Sequence, residues 1–422
     1  MDDETLKLFT NGEWCKSHKR QEEKKVISVE DGIILPPMPA MNRFNLGDFE
    51  VGVLDKDGGY IPESGMADMK ISAFDLPQDI ASVNKKVIWG GLIYKHYGHF
   101  LLQSTARLWF YLKNRSDLPI VFSVADKSLP KYVQDFFQLL DIPSEQIILI
   151  DEMTRFTEVI CPPLSSVYYK DWNEDFVLPF YLASLKVDPA PYEKVFFSRK
   201  NWSGLAKCLG EEDLETIFNR NGFHSVEMES LSLADQIAIM KGGKVFAGVN
   251  GTAFHNVLFS LPNKTLILLN RNEEYDSQYI INEAKNANCY VIKVHENPLP
   301  VTHPNGPFII GLTKHLKEFL KDFKLNDFNF EFVPKKYAKQ FFQLYLENYA
   351  HPVLYGELCY RKKEKIDVAE LIFLMHLSEF SKIKKLITYI VSKITFGKLR
   401  RKFKEKYRLL KYFANKNAFF KY

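Results

Sequence analysis

His99, Arg199 and the run Asn250-Gly-Thr-Ala253 are the residues of this chain whose types and spacing could do chemistry. An apolar strand, Val245 to Ala247, leads through a glycine-punctuated turn into a helix that opens at Thr252. Such a turn leaves backbone N–H groups unpaired at a helix N-terminus, where a phosphate can bind. Gly251 removes the side chain where the anion must come close. Arg199 ends a second apolar strand, Lys194 to Ser198, and a guanidinium there can grip two phosphate oxygens at once. Lys200 adds a second cation. His255 and Asn256 lie one turn into the helix, His255 as a ligand contact or a core histidine and Asn256 as a tie for the loop. Asn270, Arg271 and Gln278 follow at the next strand end and helix start, as weaker members of the same edge. His99 stands in the loop after the strand Lys86 to Trp89, and imidazole is the side chain suited to take a proton near neutral pH. His96 and Asp171 are its reserves.

These residues stand after three strands, and in open α/β sheets ligands sit beyond the carboxyl ends of strands. The alternation of strand and helix supports such a sheet. Leu118 to Val124 reads as a buried strand, Lys131 to Leu140 as a helix ended near Pro143, and Gln146 to Ile150 as the next strand. Pro189-Ala-Pro191 marks a boundary. A second unit follows with helices over 211–221, 233–241 and 278–287, strands over 225–228, 264–269 and 289–294, and a helix over 315–323 that crosses back. The alternation predicts parallel sheets with helices on their faces.

Three ordered segments carry a resemblance. Gly98-His-Phe-Leu-Leu-Gln-Ser-Thr-Ala-Arg-Leu-Trp109, Phe197-Ser-Arg199 and Gly251-Thr-Ala-Phe-His-Asn256 resemble the motifs of glycosyltransferase family 61, in its bacterial capsular polysaccharide branch. Phe136 to Pro143 and Leu231 to Ile237 fit between them. Gln103 stands where relatives usually carry a carboxylate, and Asn250 where many carry an acidic residue or histidine.

The resemblance implies a GT-B-like α/β enzyme with two Rossmann-like domains facing across a cleft. An irregular β-rich segment over 1–84 would cover an acceptor-side domain over 85–190. A donor domain would span 191–325, and a helical region with a basic tail 326–422. It also implies inverting transfer of a sugar from a nucleoside-diphosphate sugar, UDP-linked by expectation, to a surface polysaccharide or lipid-linked glycan. On that reading His99 is the base. Arg199, Lys200, Asn250, Gly251, Thr252, Ala253, His255, Asn256 and Arg271 hold the donor. Two other readings stay open: a pyruvyl or phosphoryl transferase acting on surface glycans, and a non-catalytic scaffold of capsule assembly. Neither unit contains Asp-x-Asp, and no His/Cys cluster has ligand spacing, so a metal-independent reaction without a cofactor is expected. Gly-x-Ser-x-Gly and P-loop sequences are absent.

Composition bounds the rest. A chain of 422 residues with 46% apolar content has material for two or three domains. Its five cysteines are scattered, and no N-terminal leader or run of about 18 apolar residues appears. The net charge of +4 hides an asymmetry: from Ser381 onward 14 Lys and Arg face one acid, leaving 42 basic and 51 acidic residues before it. Ile383, Leu386, Ile387, Ile390, Val391 and Ile394 recur at helical spacing, with Lys382, Lys385 and Lys393 between them. This amphipathic tail is expected to hold a cytoplasmic protein on the anionic inner face of the membrane. Packing on the protein's own body is the alternative, and no nucleic-acid partner is expected.

Overall fold

The computed structural model describes residues 18–21, 25–39, 49–66, 76–114, 117–168, 170–202, 206–271, 278–297, 306–326 and 331–337, with single positions up to 344. The basic tail from Ser381 lies outside the described residues, as does nearly all of the helical region expected from 326.

The chain divides into two compact units, and all five strands of one parallel sheet lie in the larger one. They are His224–Val226, Lys194–Phe197, Val245–Val249, Thr265–Asn270 and Asn288–Lys293, in that spatial order and all parallel. Numbered along the chain, the order is 2-1-3-4-5. The direction of winding therefore reverses between Lys194–Phe197 and Val245–Val249, the place where an open α/β sheet leaves a crevice at its carboxyl ends. The inner strands are continuous apolar runs, buried on both faces, as helix-covered parallel strands must be.

The other sheet of this unit is mixed. Thr154–Cys161, Ala81–Leu92, Ile120–Ser123 and Ile147–Ile150 run parallel. Ile27–Glu30, Ile33–Ile34, Val53–Leu54 and Tyr60–Ile61 extend it antiparallel beyond Thr154–Cys161. The β-rich reading of the N-terminal segment corresponds to these short strands. Thr154–Cys161 escaped the sequence reading because its run, Thr-Arg-Phe-Thr-Glu-Val-Ile-Cys, mixes charge into the pattern. It matters, because it pairs with Ala81–Leu92 and places the winding reversal of this sheet between those two strands.

Gly90 and Gly91, expected in a loop, lie inside strand Ala81–Leu92. A Cβ on Gly90 would come within 2.4 Å of the Phe122 ring. Gly91 adopts φ +105° where the pairing with Ile120–Ser123 shifts register. The strand keeps its length because both positions lack a side chain.

One hydrophobic core takes residues from both sheets: Ile88, Ile120 and Phe122 from one, Val195, Phe197, Leu266 and Leu268 from the other. Helix Lys131–Leu139 buries Val133, Phe136 and Phe137. Phe259 packs edge-on against Phe136 and Phe180, with ring centroids 6.0 and 5.3 Å apart. Helix Leu233–Gly242 starts at Ser232, whose hydroxyl accepts from Asp235 N at 3.1 Å, a standard N-cap. Among the described residues no helix is long and apolar enough to cross a membrane.

The smaller unit pairs Cys208–Leu209 with Phe308–Ile309 in parallel, and Tyr337 donates to Asp213 at 3.3 Å.

Candidate functional site

The two winding reversals carry the residues singled out above. At the five-stranded parallel sheet, strand Lys194–Phe197 ends at Ser198, whose hydroxyl donates to Glu215 Oε2 at 3.2 Å inside the protein. That anchor fixes where the chain releases Arg199. Across the reversal, strand Val245–Val249 releases Asn250 and Gly251, and the helix expected to open at Thr252 is a 3₁₀ helix over Thr252–Phe259. A Cβ built on Gly251 would lie 2.8 Å from Arg199 Nη1, so the guanidinium rests against the glycine itself. Gly251 is extended, with φ 169°. Its lack of a side chain is therefore a matter of space, not of backbone strain.

Asn250 is 8% exposed, and its Oδ1 has no hydrogen-bond partner among the described residues. Its backbone N–H donates to Leu269 O at 3.1 Å, which sets it beside the end of strand Thr265–Asn270. Asn270 is buried and Arg271 half-buried at that end. Gln278 is buried and donates to Asn282 Oδ1 at 2.9 Å and to Phe254 O at 3.4 Å, so it supports the 3₁₀ helix from behind. Lys200 is exposed and begins the smaller unit, where its carbonyl accepts from Lys207 Nζ at 2.8 Å.

The His99 segment meets the same loop. A Cβ on Gly98 would lie 2.6 Å from Thr252 Cγ2 and 3.1 Å from His255 Nδ1. Only glycine lets the turn Tyr97–His99 sit on the 3₁₀ helix this closely. Thr252 and Ala253 are half-buried there, and His255 is buried. The Tyr97 hydroxyl donates to Asn256 Oδ1, and Asn256 Nδ2 donates to Gln236 Oε1 at 2.9 Å. Burial, then the neighbouring Tyr132, raises the Tyr97 pKa, so the phenol stays a neutral donor. Asn256 thus ties the loop in place, as its position suggested.

His99 itself is half-buried. Its Nδ1 lies 2.5 Å from Gln103 Oε1. Rings of His96, Tyr168 and Tyr94 surround it, with centroids 5.1, 5.3 and 5.4 Å away. The next turn, Phe100–Ser104, is a π-helix, a form concentrated at functional sites. His96 reaches solvent, yet crowding by protein and then the adjacent His99 lower its pKa. Asp171, the other reserve, is held by Arg20 Nη2 at 2.6 Å. Tyr168 and Tyr94 were not foreseen. Tyr168 follows strand Thr154–Cys161, which the sequence pattern concealed.

The remainder of the Gly98–Trp109 motif holds structure together. Arg107 is fully buried and donates to Pro162 O, Glu63 O and Gly65 O, each at 2.8 Å. Burial lowers its pKa to about 10, which leaves it charged at neutral pH. Trp109 Nε1 donates to Pro163 O at 3.0 Å. Among the described residues no group of three His, Cys, Asp or Glu side chains has metal-holding geometry.

The arrangement is thus a cation against a glycine loop, beside a histidine with a bonded ring. Residues 97–268 match the family model described as Glycosyltransferase 61. The curated proteins contain no match to this chain.

Proposed function

We propose, from the premise that residues 97–268 form a glycosyltransferase 61 domain, that this chain transfers a sugar with inversion from a nucleoside-diphosphate sugar to a glycan or lipid-linked acceptor. The observation that carries this reading is the seat of Arg199 against Gly251 at the winding reversal of a parallel sheet. A diphosphate placed there meets a guanidinium and the loop N–H groups together. Both stabilise the charge that builds on the leaving oxygen without needing a metal. Asn250, Thr252, Ala253 and His255 line the donor side, with Arg271 as an outer cation.

His99 is the base in this reading. The acceptor hydroxyl gives its proton to the imidazole while its oxygen bonds the anomeric carbon. The bond from that carbon to the diphosphate oxygen breaks, and its electron pair leaves with the nucleoside diphosphate. Packing of Gly98 on Thr252 supports this assignment, because it sets the His99 turn beside the donor loop. We read the two sheets as the Rossmann-like halves of a GT-B enzyme acting in capsule-type polysaccharide synthesis. The basic tail would hold it at an anionic inner leaflet, which co-sedimentation with anionic vesicles at low and high salt would test.

The test of the central claim is a thermal-shift panel of nucleoside mono- and diphosphates and their sugars, with and without EDTA. One nucleoside-diphosphate class, UDP by expectation, raises Tm in the parent protein. Arg199→Ala removes most of that shift, through loss of charge-assisted bonds worth about 2–3 kcal/mol. Equal shifts in both proteins, or a shift abolished by EDTA, would remove Arg199 from this role.

A further inference from the structure

We infer that Gln103 is a positioning residue for His99: its amide oxygen accepts a hydrogen bond from Nδ1–H and leaves Nε2 as the imidazole nitrogen with a free lone pair. The inference rests on the proposed role of His99 as base. It adds the device that decides which ring nitrogen does the work.

The contact is specific. Gln103 Oε1 lies 2.5 Å from His99 Nδ1, across the junction of the turn Tyr97–His99 and the π-helix Phe100–Ser104. Side chains four residues apart on a helical surface face each other. An amide oxygen has no proton to give, so Nδ1 must carry it. Neutral imidazole holds one proton, and Nε2 is then the acceptor. The ring is also flanked by Tyr94, His96 and Tyr168, titratable groups that face it from its own loop and from the turn after Ser166–Val167. When Nε2 takes the acceptor's proton, the imidazolium keeps its Nδ1–H bond to Gln103, so no rearrangement is needed.

The choice of an amide has a consequence. A carboxylate at this position would orient the ring equally well but would also stabilise the imidazolium. The amide fixes the tautomer and adds no charge beside the ring.

Nitrogen-15 NMR of the histidine-labelled full-length chain tests this, with the His99 signals identified by their loss in His99→Ala. The expected result is the Nδ1–H tautomer in the parent protein and loss of that preference in Gln103→Ala. Gln103→Glu keeps the tautomer, because a carboxylate oxygen accepts the same Nδ1–H bond, and restores turnover lost in Gln103→Ala. An Nε2–H tautomer in the parent protein would overturn the proposal, since Gln103 would then be donating through its NH₂. So would a tautomer indifferent to Gln103→Ala. Full turnover in His99→Ala, with the Nδ1–H tautomer found in the parent protein, would overturn the catalytic reading of His99 and support the Gln103 contact alone.

Discussion

Tyr97 donates its buried hydroxyl to Asn256 Oδ1, and through that bond the His99 turn is fastened to the 3₁₀ helix of the glycine loop. Asn256 passes the chain on to Gln236, whose Nε2 donates to Leu231 O at 3.2 Å. Tyr97→Phe leaves Asn256 Oδ1 without its donor in a fully buried place. An unsatisfied buried acceptor costs about 1–3 kcal/mol. Chemical denaturation should show a lower midpoint with an unchanged m-value, and kcat should fall through misplacement of His99. A midpoint equal to the parent's would mean the contact is dispensable.

Gly251→Val should abolish nucleotide binding while the protein still folds. The added carbon would lie 2.8 Å from Arg199 Nη1, and the guanidinium must move away. The extended backbone at this position suits valine, so stability should change by less than about 1 kcal/mol. Calorimetric titration with the nucleotide identified by thermal shift decides it, and retained affinity would take this loop out of the site.

His99→Ala should cut turnover roughly 100-fold or more, the usual scale of general acid–base help, with donor affinity nearly unchanged. Single-turnover kinetics against equilibrium binding separates the two. Turnover near the parent value would reduce His99 to a packing residue.

Arg107→Met should act on folding and not on chemistry. It removes the donors from three carbonyls, those of Pro162, Glu63 and Gly65. Their loss should cost about 3 kcal/mol or more, because the carbonyls stay buried without donors. Nucleotide affinity per folded molecule should hold; an affinity loss with normal stability would make Arg107 a ligand residue.

Lys285→Met should stabilise the protein at neutral pH. Lys285 is 5% exposed, and burial, then repulsion from Lys264, pushes its pKa down to about 8 from the usual 10.5. Between those values the unfolded chain holds a proton that the folded chain has lost, so stability rises with pH across that window. Below pH 8 the full cost of burying the charge remains, on the order of 3 kcal/mol. The gain in Tm for Lys285→Met should therefore be largest below pH 8 and fade toward pH 10.5. A gain independent of pH would point to packing instead.

Much of the donor edge was legible in the chain itself. Lys194–Phe197, Val245–Val249 and Thr265–Asn270 are apolar runs ended by Arg199, Asn250-Gly251 and Asn270, so strand, turn and candidate residue could each be read locally. Helix Leu233–Gly242 stands where the alternation placed a helix, over 233–241. These features depend on neighbours a few residues away, which a linear pattern records.

Tertiary structure decided what the same residues do. Arg107 and Trp109 belong to the motif of His99, yet their partners are carbonyls some 40 to 55 residues distant, and only folding reveals them as struts. Gly90 and Gly91 lie within a strand because Phe122 and a register shift need the room. Strand order placed Arg199 against Gly251 and Tyr168 beside His99. Pairing order depends on contacts between distant segments, which local periodicity does not encode. The sequence by itself determined which residues could hold a phosphate or take a proton. The parallel pairing of strands far apart in the chain determined that they meet.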